Sequence, residues 1–198
     1  QFVVVQDAAH ILLTYDAQPL SFLSVPGAKE VGVEVHSLSK GFNMIGWRIG
    51  WVCGHSRLLS AFADVKDNCD SGQFNAIQMA AAKALDNDWL ADEVRKKYQR
   101  RLVKLVAALR DCGFDCQMPG GTYFLYTRSP RVAGNIAFRD AEQASQHLIR
   151  EQSIVTVPWN EAGSYLRFSV TYEAADEAAE DALMAETRRR LSSLDLGF

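Results

Sequence analysis

The sequence predicts an α/β protein: a sheet covered by helices on both faces, followed by a smaller α+β unit. Three observations predict it. Short, apolar, β-rich runs recur in the first third, at Phe2–Val5, Val31–Val35 and Trp47–Val52. Continuous apolar runs mark strands buried on both sides. Long helical periodicity then takes over as far as Asp111. After Gly113 the rhythm changes again, to an order of β-β-α-β-β-α.

Each element has its own warrant. Phe2–Val5 reads as a central strand that ends at Gln6-Asp7, and Val31–Val35 as a second strand running into a corner at Ser37–Gly41. Trp47–Val52 is a third, bounded by Gly46 and Gly54. Helices are expected over Arg57–Asn68, Phe74–Leu85 and Trp89–Asp111. In the last, Val94, Tyr98, Leu102, Leu105, Val106 and Leu109 recur every three or four residues and make one apolar stripe. Arg95, Lys96, Lys97, Arg100, Arg101 and Lys104 lie between them and read as a solvated basic face. Beyond Gly113, strands are expected at Phe114–Gln117 and Tyr123–Tyr126, around a Pro119-Gly120-Gly121 turn. A helix over Asp140–Gln152, strands at Ile154–Val157 and Tyr165–Tyr172, and a helix over Glu173–Leu191 complete the unit. The expected organisation is residues 1–88 as one domain, 89–112 as a linking helix and 113–198 as a small domain.

Composition excludes several classes. A net charge of −3 offers no basic field for nucleic acid. No run approaches the ~18 apolar residues of a spanning helix, so no membrane partner is expected, and the expected location is the cytoplasm. Cys53, Cys69, Cys112 and Cys116 form no C-x-x-C pair. They read as reduced, partly buried thiols, and no metal site is expected. The opening "QFVVVQD" reads as a strand already under way. The chain is therefore expected to be the later part of a longer protein, and inactive alone.

A few residues point to chemistry. Asp7 ends its strand where open α/β sheets place ligands, although a helix cap explains it equally. Lys40 follows another strand, with Ser37 and Ser39 before it, Gly41 after it and Arg48 close behind. Hydroxyls and a guanidinium suit a phosphate, Gly41 lets the backbone turn near a ligand, and an amine beside cations is a ready nucleophile. That suggests a phosphorylated ligand with a carbonyl; a solvent-exposed turn lysine is the plain alternative. Arg167 alternates in "SYLRFSV" with Leu166, Phe168 and Val170, and is either an exposed edge charge or a clamp for a carboxylate. Tyr123 and Phe124 read as core, and Trp159 as a loop aromatic.

Taken together, these stretches resemble the fold-type I, pyridoxal-phosphate-dependent aminotransferases. "SLSKGFNMIGWRIGW" resembles that family's lysine region, and "VVVQDAAH" the segment that meets the cofactor's pyridine nitrogen. "SYLRFSV" is similar to its carboxylate-binding strand, and "PGGTYFLY" to a strand pair of its small domain. The likeness runs over essentially all 198 residues. It implies the later part of a three-layer α/β/α large domain plus a small C-terminal α+β domain. Pyridoxal 5′-phosphate is the implied cofactor, an amino acid and a 2-oxo acid the implied substrates, and a homodimer with its site at the interface the implied assembly. Lys40 would hold the cofactor covalently and carry a proton, Asp7 would keep the ring nitrogen protonated, and Ser37, Ser39 and Arg48 would hold the phosphate. Arg167 would hold the substrate's α-carboxylate. Two positions depart from the family. His10 stands where a tyrosine usually bonds the phenolic oxygen, and Trp159 follows Pro158 where glycine is common.

Within the family, "VHSLSKGFNMIGWRIGWVCG", "VKDNCDSGQFNAIQ" and "VPWNEAGSYLRFSVTY" look most like the branch that acts on LL-diaminopimelate in lysine biosynthesis. That branch exchanges an amino group between tetrahydrodipicolinate and glutamate. Other specificities on the same scaffold (aspartate, alanine or aromatic transamination, or carbon–sulfur lysis) stay open from the residues. So does the aminotransferase-like sensor domain of a transcription regulator.

Overall fold

The computed structural model describes residues 2–198. They form two units, the first ending at Lys96 and the second comprising Lys97–Phe198.

The first unit is built on a three-stranded sheet. β1 (Val4–Asp7) pairs in parallel with β2 (Gly32–Ser37), and β2 pairs antiparallel with β3 (Gly50–Gly54). The register sets Asp7 opposite Val35 and Ser37 opposite Gly50. Gly50 has a steric reason, since a Cβ there would meet the His36 carbonyl oxygen at 2.4 Å. Between β2 and β3 lies α1 (Leu38–Gly41), a single helical turn, then a 3-10 turn at Ile45–Trp47. Helices α2 (Ser56–Cys69) and α3 (Asn75–Leu85) follow, and α4 (Asp88–Asp111) runs on into the second unit. Leu38, Met44 and Ala81 make a small buried cluster, with Phe42, Ile49 and Ala84 packed against it.

Three expectations need correction here. β1 is an edge strand among the described residues, not a central one. One face of its sheet is open among the described residues, where Val5 and Val35 are exposed. Apolar strand composition reports a preference for burial and does not say what meets it. Trp47 also falls on the 3-10 turn, so the third strand starts only at Gly50.

The second unit encloses its own core. β4 (Phe124–Arg128), β8 (Tyr165–Ser169) and β7 (Val157–Trp159) form an antiparallel sheet in the order β4-β8-β7. The short strands β5 (Val132–Ala133), β6 (Ile136–Ala137) and β9 (Leu196–Gly197) form another. Helices α5 (Ala141–Gln152) and α6 (Glu177–Ser192) are capped by the side chains of Asp140 and Asp176, which accept from Gln143 N and Ala179 N. Such caps satisfy amides that the first helical turn leaves without partners. Leu125 and Thr127 of β4, and Leu166 and Phe168 of β8, face inward with Leu102, Leu105 and Leu109 of α4. The alternation expected for Tyr165–Val170 is the one observed: Leu166, Phe168 and Val170 are buried.

Phe114–Gln117 is not a strand. Phe114 and Cys116 are buried, however, with Phe114 edge-on to Phe168 and Phe198, so burial rather than pairing explains the apolar run. The basic face of α4 also needs correction. Arg101 is 2% exposed and donates through Nε to Glu180 Oε1 at 2.7 Å and through Nη1 to the carbonyls of Val170 (3.2 Å) and Tyr172 (2.5 Å). Arg100 grips both oxygens of Glu180 at 3.0 Å, and Lys104 adds a contact at 3.2 Å. A carboxylate as buried as Glu180 needs such partners. Arg100 first, with Arg101 and Lys104, outweighs its burial and holds its pKa at about 2. Helical spacing locates a basic face; it cannot show that an acid on a helix some 80 residues later meets it.

Candidate active site

Backbone pairing assembles the site edge of the first unit. The amide of Ala8, just past Asp7, donates to Val35 O at 2.8 Å, so β1 ends level with the last turn of β2. Side chains of Asp7, Val35 and Ser37 fall on one face of the sheet, and His36 falls on the other. Asp7 Oδ1 accepts from Ala9 N at 3.0 Å. Its Oδ2 makes no hydrogen bond among the described residues.

Lys40 stands on α1, not on a loop corner. Ser37 caps that turn, its Oγ accepting from Ser39 N at 3.1 Å. Leu38, wholly buried, anchors the turn in the small cluster, and Leu38 N reaches Ile49 O at 3.4 Å. Lys40 is half-buried and Ser39 buried. Gly41 lacks a side chain for a reason other than backbone turning: a Cβ there would meet the Leu12 side chain at 2.8 Å, and its φ is not positive. The glycine lets α1 seat against Leu12.

His10 reports on the electrostatics of this edge. Burial, then the charge of Lys40, pushes its pKa below the usual histidine value, while Asp7 pulls the other way. His10 thus lies within electrostatic reach of both Asp7 and Lys40. Arg48 is exposed in a left-handed conformation (φ 52°), its Nη1 donating to Ile45 O at 2.9 Å. Its chain neighbour Ile49 bonds the start of α1, which sets the Arg48 backbone near Ser37.

Arg167 belongs to the second unit. On β8 it lies between Tyr126 and Val157 in the sheet register, with its guanidinium 4.3 Å from the centre of the Phe124 ring. Its buried Nε has no hydrogen-bond partner among the described residues. A buried donor left unpaired is costly, and an arriving anion relieves that cost. Tyr126 and Trp159 meet edge-on at 6.0 Å beside it. Tyr123 is buried, as expected of core.

A family model described as aminotransferase class I and II matches residues 1–183. The chain belongs to that family. It is 50% identical, over its whole length, to the LL-diaminopimelate aminotransferase of Methanocaldococcus jannaschii, of which it covers 49%. It is 45% identical to the enzyme of the same name from Methanococcus maripaludis, with 99% of the chain and 49% of that protein aligned. The chain therefore spans about half the length of the curated relatives it matches. Solved structures agree: BacF from Bacillus subtilis superposes with a TM-score of 0.85 at 26% identity, covering 98% of this chain and 50% of that one. N-succinyldiaminopimelate aminotransferase from Mycobacterium tuberculosis gives 0.82 at 29%, covering 97% and 50%.

Aminotransferases of this class depend on pyridoxal 5′-phosphate, and the residues present fit that group chemically. A carboxylate with an unengaged oxygen, an amine and two hydroxyls stand at one sheet edge, and these are the donors and acceptors that a pyridinium, a carbonyl and a phosphate need.

The sequence reading missed one cluster. Glu34, His36 and Cys53 bring a carboxylate oxygen, an imidazole nitrogen and a thiol within 4.8 Å of one another, where no metal ligands were expected. The signal was there in part, since Glu34 and His36 share a face by alternation. Cys53 joins them only through the β2–β3 register, which composition does not reveal. No helix among the described residues is long and apolar enough to cross a membrane.

Proposed function

We propose that the chain carries the lysine-bearing part of an LL-diaminopimelate aminotransferase. It moves an amino group between an amino acid and a 2-oxo acid, with tetrahydrodipicolinate and glutamate as the pair. The observation that carries this is the whole-chain identity of 50% to an enzyme of that name, well above the 24–29% shared with the structures of other transaminases. The full-length protein is a cytoplasmic homodimer in this reading. Residues 1–88 serve the cofactor, 89–112 link, and 113–198 form the small domain.

The bound cofactor supplies the electron sink for the substrate's α-carbon. Lys40 Nζ would hold the cofactor covalently and would take the proton of the substrate's α-carbon and return it. The Asp7 carboxylate would accept from the ring N–H and favour its protonated form. His10, whose pKa burial and then Lys40 lower, would offer a ring N–H to the phenolic oxygen. Ser37, Ser39 and Arg48 bind phosphate, and Arg167 binds the α-carboxylate bidentately. These roles rest on residue chemistry and on likeness to the family.

The test is a substrate panel on the full-length protein. LL-diaminopimelate with 2-oxoglutarate is expected to give the highest kcat/KM. Preference for aromatic or alanine substrates, or release of pyruvate and ammonia, would overturn the specificity while leaving the family intact.

A further inference from the structure

We propose that Glu34, His36 and Cys53 form a binding site for a zinc-like divalent transition-metal ion, on the sheet face opposite Asp7 and Ser37. The backbone creates the cluster. Glu34 and His36 are two apart on β2, and Cys53 on β3 is the direct cross-strand partner of Glu34. All three side chains therefore project from one face. Their ligating atoms lie within 4.8 Å of one another. Tetrahedral zinc, with bonds of 2.0–2.3 Å, sets its donors roughly 3.3–3.6 Å apart. Closing that gap takes about an ångström, within reach of rotamer adjustment.

Two of the donors are already oriented by a further contact. Glu34 is 2% exposed. Its Oε1 accepts from the Ser21 hydroxyl at 2.5 Å and from Leu23 N at 3.0 Å, which turns Oε2 toward His36 Nε2 at 2.8 Å. The His36 ring lies parallel to Trp51, with centroids 5.0 Å apart and planes 3° from parallel. Outer contacts of this kind fix metal ligands and sharpen affinity. An oxygen, a nitrogen and a sulfur donor together suit borderline-soft zinc and disfavour magnesium or calcium, which take oxygen ligands. Three protein ligands leave a fourth position for water, and His36 and Ser21 also line a cavity of about 430 Å³.

Binding is a proton exchange with no redox change. The proton between His36 Nε2 and Glu34 Oε2 moves to His36 Nδ1, or to solvent where the ring is charged, as the metal takes its place; Cys53 S–H gives its proton to solvent as the metal–sulfur bond forms. Two anionic ligands then neutralise the 2+ ion, so burying it leaves no net charge uncompensated.

Cobalt(II) alone, added to the full-length protein after chelator treatment, is the direct probe. One Co²⁺ per chain is expected, with a thiolate-to-cobalt charge-transfer band in the near ultraviolet that Zn²⁺ abolishes. Cys53→Ser is expected to remove the band, and Cys69→Ser, at an exposed cysteine, to leave it. Ser21→Ala is expected to weaken zinc binding ~10–100-fold by freeing the Glu34 carboxylate. If Cys53→Ser fails to fold, His36→Asn reads the same site with the thiol intact, and undiminished Co²⁺ affinity there overturns the proposal. So does the absence of a charge-transfer band from the unmutated protein at saturating Co²⁺, or a band that survives the loss of Cys53.

Discussion

The two units bury their side chains very differently. In the second, Leu102, Leu109, Leu125, Leu148, Leu166 and Leu191 are all essentially inaccessible, and the Glu180 cluster ties α6 to α4. In the first, only Leu13 and Leu38 are buried to that degree among the large apolar side chains described. Helix α2 buries no residue at all among those described; Phe62 is 52% and Val65 63% exposed. Yet the first unit carries the amine and the carboxylate on which the proposed chemistry rests. The position of those groups is set by strand register and by one small cluster beneath α1. Reactive geometry and bulk stability are therefore separable here, and substitutions should affect one without the other.

The largest expected effect is at Lys40. Lys40→Ala should lower transamination by more than ~10⁴-fold, since it removes both the covalent hold and the proton carrier. Thermal unfolding of the apoprotein should barely move. A variant that unfolds instead would show that Lys40 is structural and that the two properties are not separable.

Glu180→Gln addresses the other side of the comparison. It leaves Arg101 buried beside a weakened partner, and a cost of about 3–5 kcal/mol is expected from urea unfolding. Leu166→Ala should cost ~2–5 kcal/mol by opening a cavity in the core of the second unit. Val65→Ser, made in the 198-residue chain, should change stability by less than ~0.5 kcal/mol. A cost above ~2 kcal/mol there would mean that α2 packs its apolar face after all.

Acid sharpens the contrast. The folded-state pKa of Glu180, about 2, lies below its ordinary 4.5. Its contribution is thus fully present above the unfolded value and is lost as pH falls from 4.5 toward 2. With Arg100 partly solvated, that contribution is about 2–3 kcal/mol. The stability gap between the wild type and Glu180→Gln should narrow over this range, and a gap independent of pH would contradict the assigned charge state.

Much of this was legible in the residues. The stripe from Tyr98 to Leu109, the alternation about Arg167 and the helix bodies all follow from local periodicity, which is a property of a single segment. What stayed hidden depends on two segments meeting. The edge position of β1, the burial of Arg101 against Glu180 and the convergence of Cys53 on Glu34 and His36 need the register and the long-range contacts. Phe114–Gln117 shows the converse limit, because an apolar run says that a segment is buried without saying whether it pairs. At the site edge, residue types suggested Asp7, Ser37 and Lys40, but that Lys40 stands on a capped helical turn seated against Leu12 became visible only in three dimensions.

The central claim is that Lys40 Nζ bonds to the cofactor at the edge where Asp7 ends its strand. Borohydride reduction of the cofactor-loaded, full-length protein fixes that bond, and peptide mass mapping then finds the modified residue. The account predicts a pyridoxyl group on the peptide containing Lys40, in a yield that falls when Asp7 is replaced by alanine. A label on Lys29, Lys66 or any other lysine, with Lys40 unmodified, would contradict it.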